Sequence, residues 1–425
     1  MTSSTFVSYQ AHRGMRLLRP GARPLGPDQA RERSARHRVY WIWGLVFLNV
    51  LTFYKGTWNG LPLLIPIPSF LGKILTQGAL SGALLLAVTA NRRLLIRPSV
   101  FLGLLSLLVA EAVISGVSPV SGHFISTLYR TCRLAEFTAV LWLMTPWWGR
   151  RDLLLVKCHL TALGVVLGSV LLGLIVAPGR AMSQGRLSGE FWPITPVQVS
   201  DFSAVALGVV VVLWLCGETR RRLTVVAILV LATMLLLTHT RTEVVALVAG
   251  ILVAGLRMFT SQARVRRILA SAGIIVSLAV IVFSGALTTW LVRGENSQEL
   301  ANLTGRTTVW GLVLAAPRDR FQMILGYGLS NKGFDGLPID SNWIAAYYDL
   351  GLIGVSLCVA MLLFVLVSAY FQQRSTRTAV ALFLVTYLLV TSFTETGLSD
   401  ASVYLLELAL AASLIVPPLR ERRSG

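Results

Sequence analysis

An all-α membrane protein of about twelve helices is the fold class this sequence predicts, and three observations carry it. The 425 residues are 55% hydrophobic and only 13% charged, whereas a soluble chain carries roughly a quarter charged residues. Apolar runs long enough to cross about 30 Å of hydrocarbon recur along the whole length, and the mean hydropathy is +0.70. Backbone at that depth must satisfy its own hydrogen bonds, so the runs read as helices; the short alternating segments of a membrane β-barrel are not seen. The third observation is where the charge lies.

The net charge of +19 raises nucleic acid as a partner, but the distribution argues against it. Basic residues fall in short clusters between apolar runs: Arg92 and Arg93, Arg150 and Arg151, Arg220 to Arg222, Arg264 with Arg266 and Arg267, Arg374 and Arg377, and Arg420 with Arg422 and Arg423. That is the positive-inside pattern. With the N-terminus inside, the cytoplasmic segments collect 26 of the 38 Lys and Arg, and the outer segments keep 12. An even number of helices with both termini cytoplasmic follows, with membrane lipid and not nucleic acid as the surrounding partner. The four cysteines, Cys132, Cys158, Cys216 and Cys358, show no paired spacing, so neither a disulfide framework nor a zinc site is expected, and no metal or cofactor is called for.

Residues 1–38 hold eight arginines with Pro, Gly and Ser and are expected to form a disordered basic cytoplasmic tail, read either as a topology signal or as a segment lying on anionic lipid. No cleavable signal is expected there. Nine transmembrane helices are placed within 39–288, at 39–54, 74–91, 99–117, 126–148, 153–176, 197–216, 223–238, 243–259 and 268–288. Three more lie within 351–417, at 351–370, 379–394 and 401–417, before a cytoplasmic tail of 418–425. Between the ninth and tenth lies a polar extracytoplasmic loop, 289–350, and a loop of that length in a compact protein is usually functional. Within it Thr304 is placed to cap a helix running to Ala316, ended by Pro317, and Gly326-Tyr327-Gly328 reads as a turn. Asp340 or Ser341 is placed to cap a second short helix of 342–349. The two halves show no repeat in loop length or Gly/Pro breaks, which weakens a transporter reading.

The unusual feature is a set of arginines on the outer side: Arg186 in Arg186-Leu187-Ser188-Gly189, Arg241 in Thr240-Arg241-Thr242, Arg306 in Thr304-Gly305-Arg306-Thr307, and Arg130 with Arg133 at the outer end of the fourth helix. A charge near membrane depth is costly and marks a candidate site. Several guanidinium groups on one side suit a pyrophosphate, since each offers a planar fork of donors and never loses its charge. The competing reading pairs them with Glu136, Glu190 and Glu243 or with lipid phosphates; Glu136 lies one turn from Arg133. The second feature is Asp340-Ser341-Asn342-Trp343, nine residues before Asp349-Leu350-Gly351-Leu352-Ile353-Gly354. A carboxylate near arginines is placed to take a proton from an attacking hydroxyl, or Asp340 is only a helix cap.

These stretches resemble the O-antigen ligase and Wzy-type polymerase superfamily. Gly305-Arg306 with Trp310, Gly326-Tyr327-Gly328, and Asp340 to Gly354 follow that family's order, and Arg186 and Thr240-Arg241 match its outer arginines. The likeness covers residues 180–360 well and the rest only by helix count. It implies a GT-C-like bundle of twelve transmembrane helices in a bacterial inner membrane, with a large periplasmic loop. The implied activity is a metal-independent, inverting glycosyltransferase. The donor is a glycan on undecaprenyl pyrophosphate, the acceptor a glycan or lipid-linked glycan, and a chain-length regulator or flippase the accompanying partners. Carried over, Arg186, Arg241 and Arg306 bind and stabilise the departing pyrophosphate, Arg130, Arg133, Asn342 and Trp343 line the substrate, and Asp340 takes the place of the family's His. That departure disfavours a typical lipid A core ligase and favours a polysaccharide polymerase or a divergent ligase. Asp349, Gly351 and Gly354 are expected to be structural. The rivals are a twelve-helix transporter or flippase of lipid-linked glycans, which calls for ionisable groups near mid-membrane, and a non-catalytic assembly partner.

Overall fold

The structure, a computed structural model, describes residues 27–51, 60–117, 124–259, 262–285, 289–290, 305–330 and 332–417. A helix stands at each predicted position: α1 (Pro27–Val50), α2 (Ser69–Ala90), α3 (Val100–Val117), α4 (Phe124–Met144), α5 (Leu154–Val176), the short α6 (Pro178–Ala181), α7 (Pro196–Leu215), α8 (Arg221–Leu237), α9 (Arg241–Phe259) and α10 (Ala263–Val282). Two short helices, α11 (Arg306–Ala315) and α12 (Arg320–Leu325), precede α13 (Asn342–Phe371), α14 (Thr376–Thr391) and α15 (Val403–Ile415). Six of these, α2, α3, α5, α7, α9 and α13, are long and apolar enough to cross a membrane. The protein is an all-α membrane protein by that measure.

Helices α14 and α15 are shorter and lie at the centre of the bundle. Ala379 to Val385 and Leu405 to Ala412 are almost wholly buried, so these helices are apolar on every face and sit inside a jacket of others. Close approach at the centre needs small residues: a Cβ on Gly208 of α7 would fall 1.8 Å from the Phe383 ring, and one on Gly250 of α9 2.8 Å from it. Outward, Leu85, Leu107, Val165, Leu229, Val245 and Leu256 are exposed apolar residues of the jacket, as a lipid-facing surface requires.

Several predicted boundaries move: the second helix begins at Ser69 and the ninth span runs Ala263–Val282, and four further changes bear on the site end or its supports. Residues 27–38, expected in the disordered tail, form the first turns of α1; Pro27 suits a helix start, Glu32 pairs with Arg36 one turn on at 3.0 Å, and Arg36 reaches Asp152 at 3.2 Å. The rest of that tail, 1–26, lies outside the described residues. The fourth helix stops at Met144 and tightens into a 3₁₀ turn at Thr145–Trp147, because Pro146 lacks the N–H that would continue it. Gly305, at φ 86°, precedes α11 as its N-cap, and Thr304 lies outside the described residues, as does much of the loop, 291–304. Finally, the expected helices 342–349 and 351–370 are one helix, α13, kinked at Gly351 (φ 61°), so the loop ends at Ser341 rather than at 350.

The kink is clasped from outside. Gly326 and Gly328 take φ 75° and 89°; the Tyr327 N–H donates to the Tyr348 carbonyl at 3.1 Å and the Gly328 N–H to the Asp349 carbonyl at 2.8 Å. A Cβ on Gly326 would lie 2.3 Å from the Asp349 carbonyl oxygen, and one on Gly351 2.3 Å from that of Ile324. Asp349 is buried, accepting from the Ser330 hydroxyl at 2.7 Å, which agrees with a structural role. The next residues form a two-stranded hairpin, β1 (Gly333–Phe334) and β2 (Leu337–Pro338), turned by Asp335-Gly336 with φ 49° and 80°, the geometry an Asp-Gly turn favours.

The basic segments predicted to share one side meet at one end of the bundle. Arg97 donates to the carbonyls of Trp148 and Pro417, Arg257 to those of Tyr370 and Gln372, and Arg377 to those of Leu414 and Val416. Described residues of the other loops lie at the opposite end, where Arg306 joins Asp340 and Glu395, and Arg130 joins Asp400.

Gly326→Ala forces both a left-handed backbone and a backbone collision, so we expect a loss of about 3 kcal/mol or more, measured as a lower unfolding temperature in detergent micelles, with Gly311→Ala, at an open helical position, as the tolerant control.

Candidate functional site

At that opposite end a cavity of about 930 Å³ opens among α1, α2, α4, α7, α15, the hairpin and the α14–α15 loop. Five cations line it: Lys73, Arg130, Arg133, Arg306 and Lys332. Four acids line it as well: Asp201, Asp340, Glu395 and Asp400. Half the predicted residues, Arg130, Arg133, Arg306 and Asp340, therefore share one cavity although they are up to 210 residues apart in sequence.

Arg306 is the first residue of α11 and reaches back to two loops. Its Nε lies 3.4 Å from Asp340 Oδ2 and its Nη2 lies 3.7 Å from Glu395 Oε1. Asp340 does not cap α13; Ser341 occupies that position. Burial raises the Asp340 carboxyl above its usual range, partly offset by Arg306, so it is a stronger base than an ordinary aspartate. Burial also raises Glu395 well above its usual range, aided by the nearby charges of Glu243, Asp340 and Asp201 and opposed by Arg306.

Arg133 turns away from Glu136. Its Nε donates to the Asn49 side-chain oxygen at 3.2 Å and its Nη2 to the Asn49 carbonyl at 3.0 Å, tying α4 to the end of α1. Arg130 pairs with Asp400 at 3.3 Å, and Glu190, another expected partner, pairs with Arg180 at 3.1 Å. Arg130 and Arg133 hold the cavity wall together while facing it.

The other four predicted residues do not line the cavity. Arg186 lies behind Arg306, with its Nε donating to the Thr238 carbonyl at 2.9 Å. Burial lowers its pKa, and it feels the charges of Glu243, Arg306 and Glu395. Arg241 opens α9, half-buried, three residues after Thr238, so Arg186 and Arg241 flank one turn. Asn342 is buried; its side-chain oxygen accepts from Leu398 N–H at 2.8 Å, and its own N–H donates to the Ser392 carbonyl at 2.9 Å. It shapes the loop that carries Glu395 and is not placed to touch a ligand in the cavity. Trp343 packs its ring 6.2 Å from Phe393, on the same loop.

Sequence reasoning missed Lys332, Glu395, Asp400 and Asp201. Lys332 and Asp340 stand at the two feet of the hairpin, joined by the Ile339 N–H to Lys332 carbonyl bond of 2.8 Å. The Asp335-Gly336 pair between short apolar stretches was the available signal. Burial lowers the Lys332 pKa against the pull of Asp400 and Asp349. For Glu395 and Asp400 the only signal was a cluster of small polar residues between two apolar runs. Asp201 sits inside α7 at the cavity floor, bonded by the Tyr387 hydroxyl at 2.9 Å. Below it Glu407 is buried 3.6 Å from His159, whose Nδ1 accepts from Trp43 at 3.3 Å. Ionisable groups thus extend into the bundle, beyond the outer ends where sequence reasoning placed them.

No protein-family model matches this chain, and no curated protein matches it. The site's chemistry therefore rests on its own geometry: a polar cavity at one end of an apolar bundle, with guanidinium groups and withdrawn carboxyls facing one space.

Tyr387→Phe removes the donor to Asp201 and leaves a buried carboxyl short of a partner. We expect a loss of about 1–3 kcal/mol, read from detergent-micelle melting, without gross change in membrane insertion.

Proposed function

We propose that this protein is a glycosyltransferase of the O-antigen polymerase and ligase type. It moves a glycan from an undecaprenyl-pyrophosphate carrier to an acceptor sugar at the outer face of a bacterial inner membrane. Twelve spans put both termini in the cytoplasm and the cavity outside. The observation that carries the reading is Arg306, facing the cavity with Asp340 at 3.4 Å: a fixed cation for a diphosphate beside a carboxylate for a hydroxyl proton. Fixed charge aimed at developing charge is commonly the largest catalytic contribution.

In this mechanism the diphosphate seats on Arg306. Asp340 then takes the proton of the acceptor hydroxyl, the oxygen attacks the anomeric carbon from the opposite side, and the bond to the phosphate oxygen breaks with inversion. Arg186 and Arg241, behind the cavity wall, add positive potential around Glu243 and Arg306. Diphosphate is a good leaving group, so the scheme needs no strong acid. Asp340 in place of the family's His favours a polysaccharide polymerase or a divergent ligase.

One observation favours a second reading. Asp201, Glu407 and His159 lie buried within the bundle, as a proton-coupled transporter of lipid-linked glycans requires. The two separate by product: a transferase makes a new glycosidic bond, while a transporter moves the donor unchanged.

In proteoliposomes with a lipid-diphosphate glycan donor and acceptor, Arg306→Ala is expected to lower transfer by at least about 100-fold, the scale of losing one preorganised donor, Arg241→Ala, which removes only positive potential behind the cavity wall, by a smaller factor, and Asp340→Asn strongly. Full activity in both arginine variants, or donor translocation with no bond formed, removes the transferase reading. A cysteine at Thr396 is expected to react in intact cells with a membrane-impermeant maleimide, and one at Arg374 only after permeabilisation; the reverse pattern overturns the orientation.

A further inference from the structure

Arg306 holds two carboxyls, and the reaction scheme above uses only one. Glu395 comes from the α14–α15 loop, Asp340 from the foot of the hairpin, and both side chains face the cavity. We propose that Asp340 and Glu395 form a dyad on Arg306 that holds one proton, with Asp340 ionised and Glu395 neutral, and that Glu395 donates its hydrogen bond to a phosphate oxygen of the donor. The inference rests on the transferase reading and assigns a residue that reading leaves unused.

Burial decides which member keeps the proton. The Glu395 side chain is 17% exposed and the Asp340 side chain 40%, so ionisation of Glu395 costs more solvation. The charges around Glu395 point the same way. From α9 comes Glu243, from α7 Asp201, from the hairpin foot Asp340, all carboxyls; Tyr404 of α15 adds a hydroxyl; Arg306 and Arg186 face it as cations. Arg306 is divided between two carboxyls, and its shorter contact goes to Asp340.

The arrangement solves a problem that two carboxylates would create. An anionic diphosphate entering beside two negative groups is repelled, while a neutral carboxylic acid offers it an O–H donor. When the diphosphate takes over Arg306, Asp340 is released toward the acceptor. The acceptor O–H bond then breaks and its proton goes to Asp340. The acceptor oxygen bonds to the anomeric carbon, and the carbon–phosphate-oxygen bond breaks with its electron pair leaving on the diphosphate. Glu395 keeps its proton throughout, hydrogen-bonded to that leaving group, and Asp340 later returns its proton to water.

Two measurements test this. The first is the pH profile of glycan transfer in proteoliposomes for wild type, Glu395→Gln, Glu395→Ala and Arg306→Ala. Glutamine keeps an uncharged donor, so Glu395→Gln is expected to remain within about tenfold of wild type and to lose the alkaline decline caused by ionisation of Glu395; Glu395→Ala is expected to fall well below it. An unchanged alkaline limb in Glu395→Gln, an inactive Glu395→Gln, or full activity in Glu395→Ala overturns the dyad. Full activity in Arg306→Ala overturns the underlying transferase reading instead. The second measurement needs no turnover: the infrared difference spectrum of wild type minus Glu395→Gln at neutral pH is expected to show a protonated-carboxyl band from Glu395 above the contribution of the other buried carboxyls, and a difference spectrum with no such band overturns the proposal.

Discussion

The interlock between the Gly326–Gly328 turn and the kink at Gly351 governs where everything at the site end can lie. A kink in a helix frees carbonyls from their intrahelical donors, and buried carbonyls must be satisfied. Here the freed Tyr348 and Asp349 carbonyls accept from Tyr327 and Gly328 of the outer loop, so the kink and the loop complete each other. Only glycine permits the approach, because a side chain on either strand of the interlock would meet the other's backbone. From that fixed point the chain runs through Ser330, which bonds Asp349, into the hairpin whose feet deliver Lys332 and Asp340 to the cavity. The Asp-x-Gly-x-x-Gly stretch is thus a device for aiming a loop, and its acid stays out of the cavity lining for a physical reason: it is consumed in holding the turn.

The electrostatics of the cavity follow from a second constraint. Five cations in one partly desolvated space would repel one another, and the chain answers by placing acidic side chains among them: Asp400 against Arg130, and Asp340 with the neutral partner Glu395 against Arg306. Such pairs stabilise weakly where water reaches them and more where it does not. On the proposed function, an incoming polyanion exchanges with Asp340 on Arg306 without leaving that guanidinium uncompensated. Arg133 differs, because its hydrogen bonds run to Asn49 and brace α4 against α1; its charge faces the cavity while its donors serve the fold. Asn342 and Trp343 belong with it, stabilising the Glu395 loop from behind.

Asp201, Glu407 and His159 show a different use of polarity. Each is buried among apolar helices, and each contact crosses between helices: α7 to α14 through Tyr387, α15 to α5 through the His159–Glu407 approach, α5 to α1 through Trp43. In a medium where apolar packing alone discriminates poorly between partners, such contacts set helix register. They also bring ionisable groups to the floor of the cavity, so structural and chemical roles meet at Asp201.

The sequence by itself determined the helices and their sidedness relative to one another. Apolar runs in a chain of low charge leave no other satisfied backbone, and clusters such as Arg150-Arg151 and Arg374 with Arg377 mark common ends, which the contacts of Arg97, Arg257 and Arg377 with neighbouring loops reproduce. Local chemistry also located Arg306, Asp340 and the Gly326-Tyr327-Gly328 turn. What the tertiary structure alone decided was partnership. Whether Asp340 caps a helix or meets Arg306, whether Arg133 pairs with Glu136 or braces Asn49, and whether Arg186 and Arg241 face the cavity or stand behind it depend on distances between segments far apart in the chain. Short-range pattern holds no information about those distances. Glu395 was invisible for the same reason: nothing in a short polar loop distinguishes a carboxyl that faces solvent from one that packing directs onto an arginine 89 residues away.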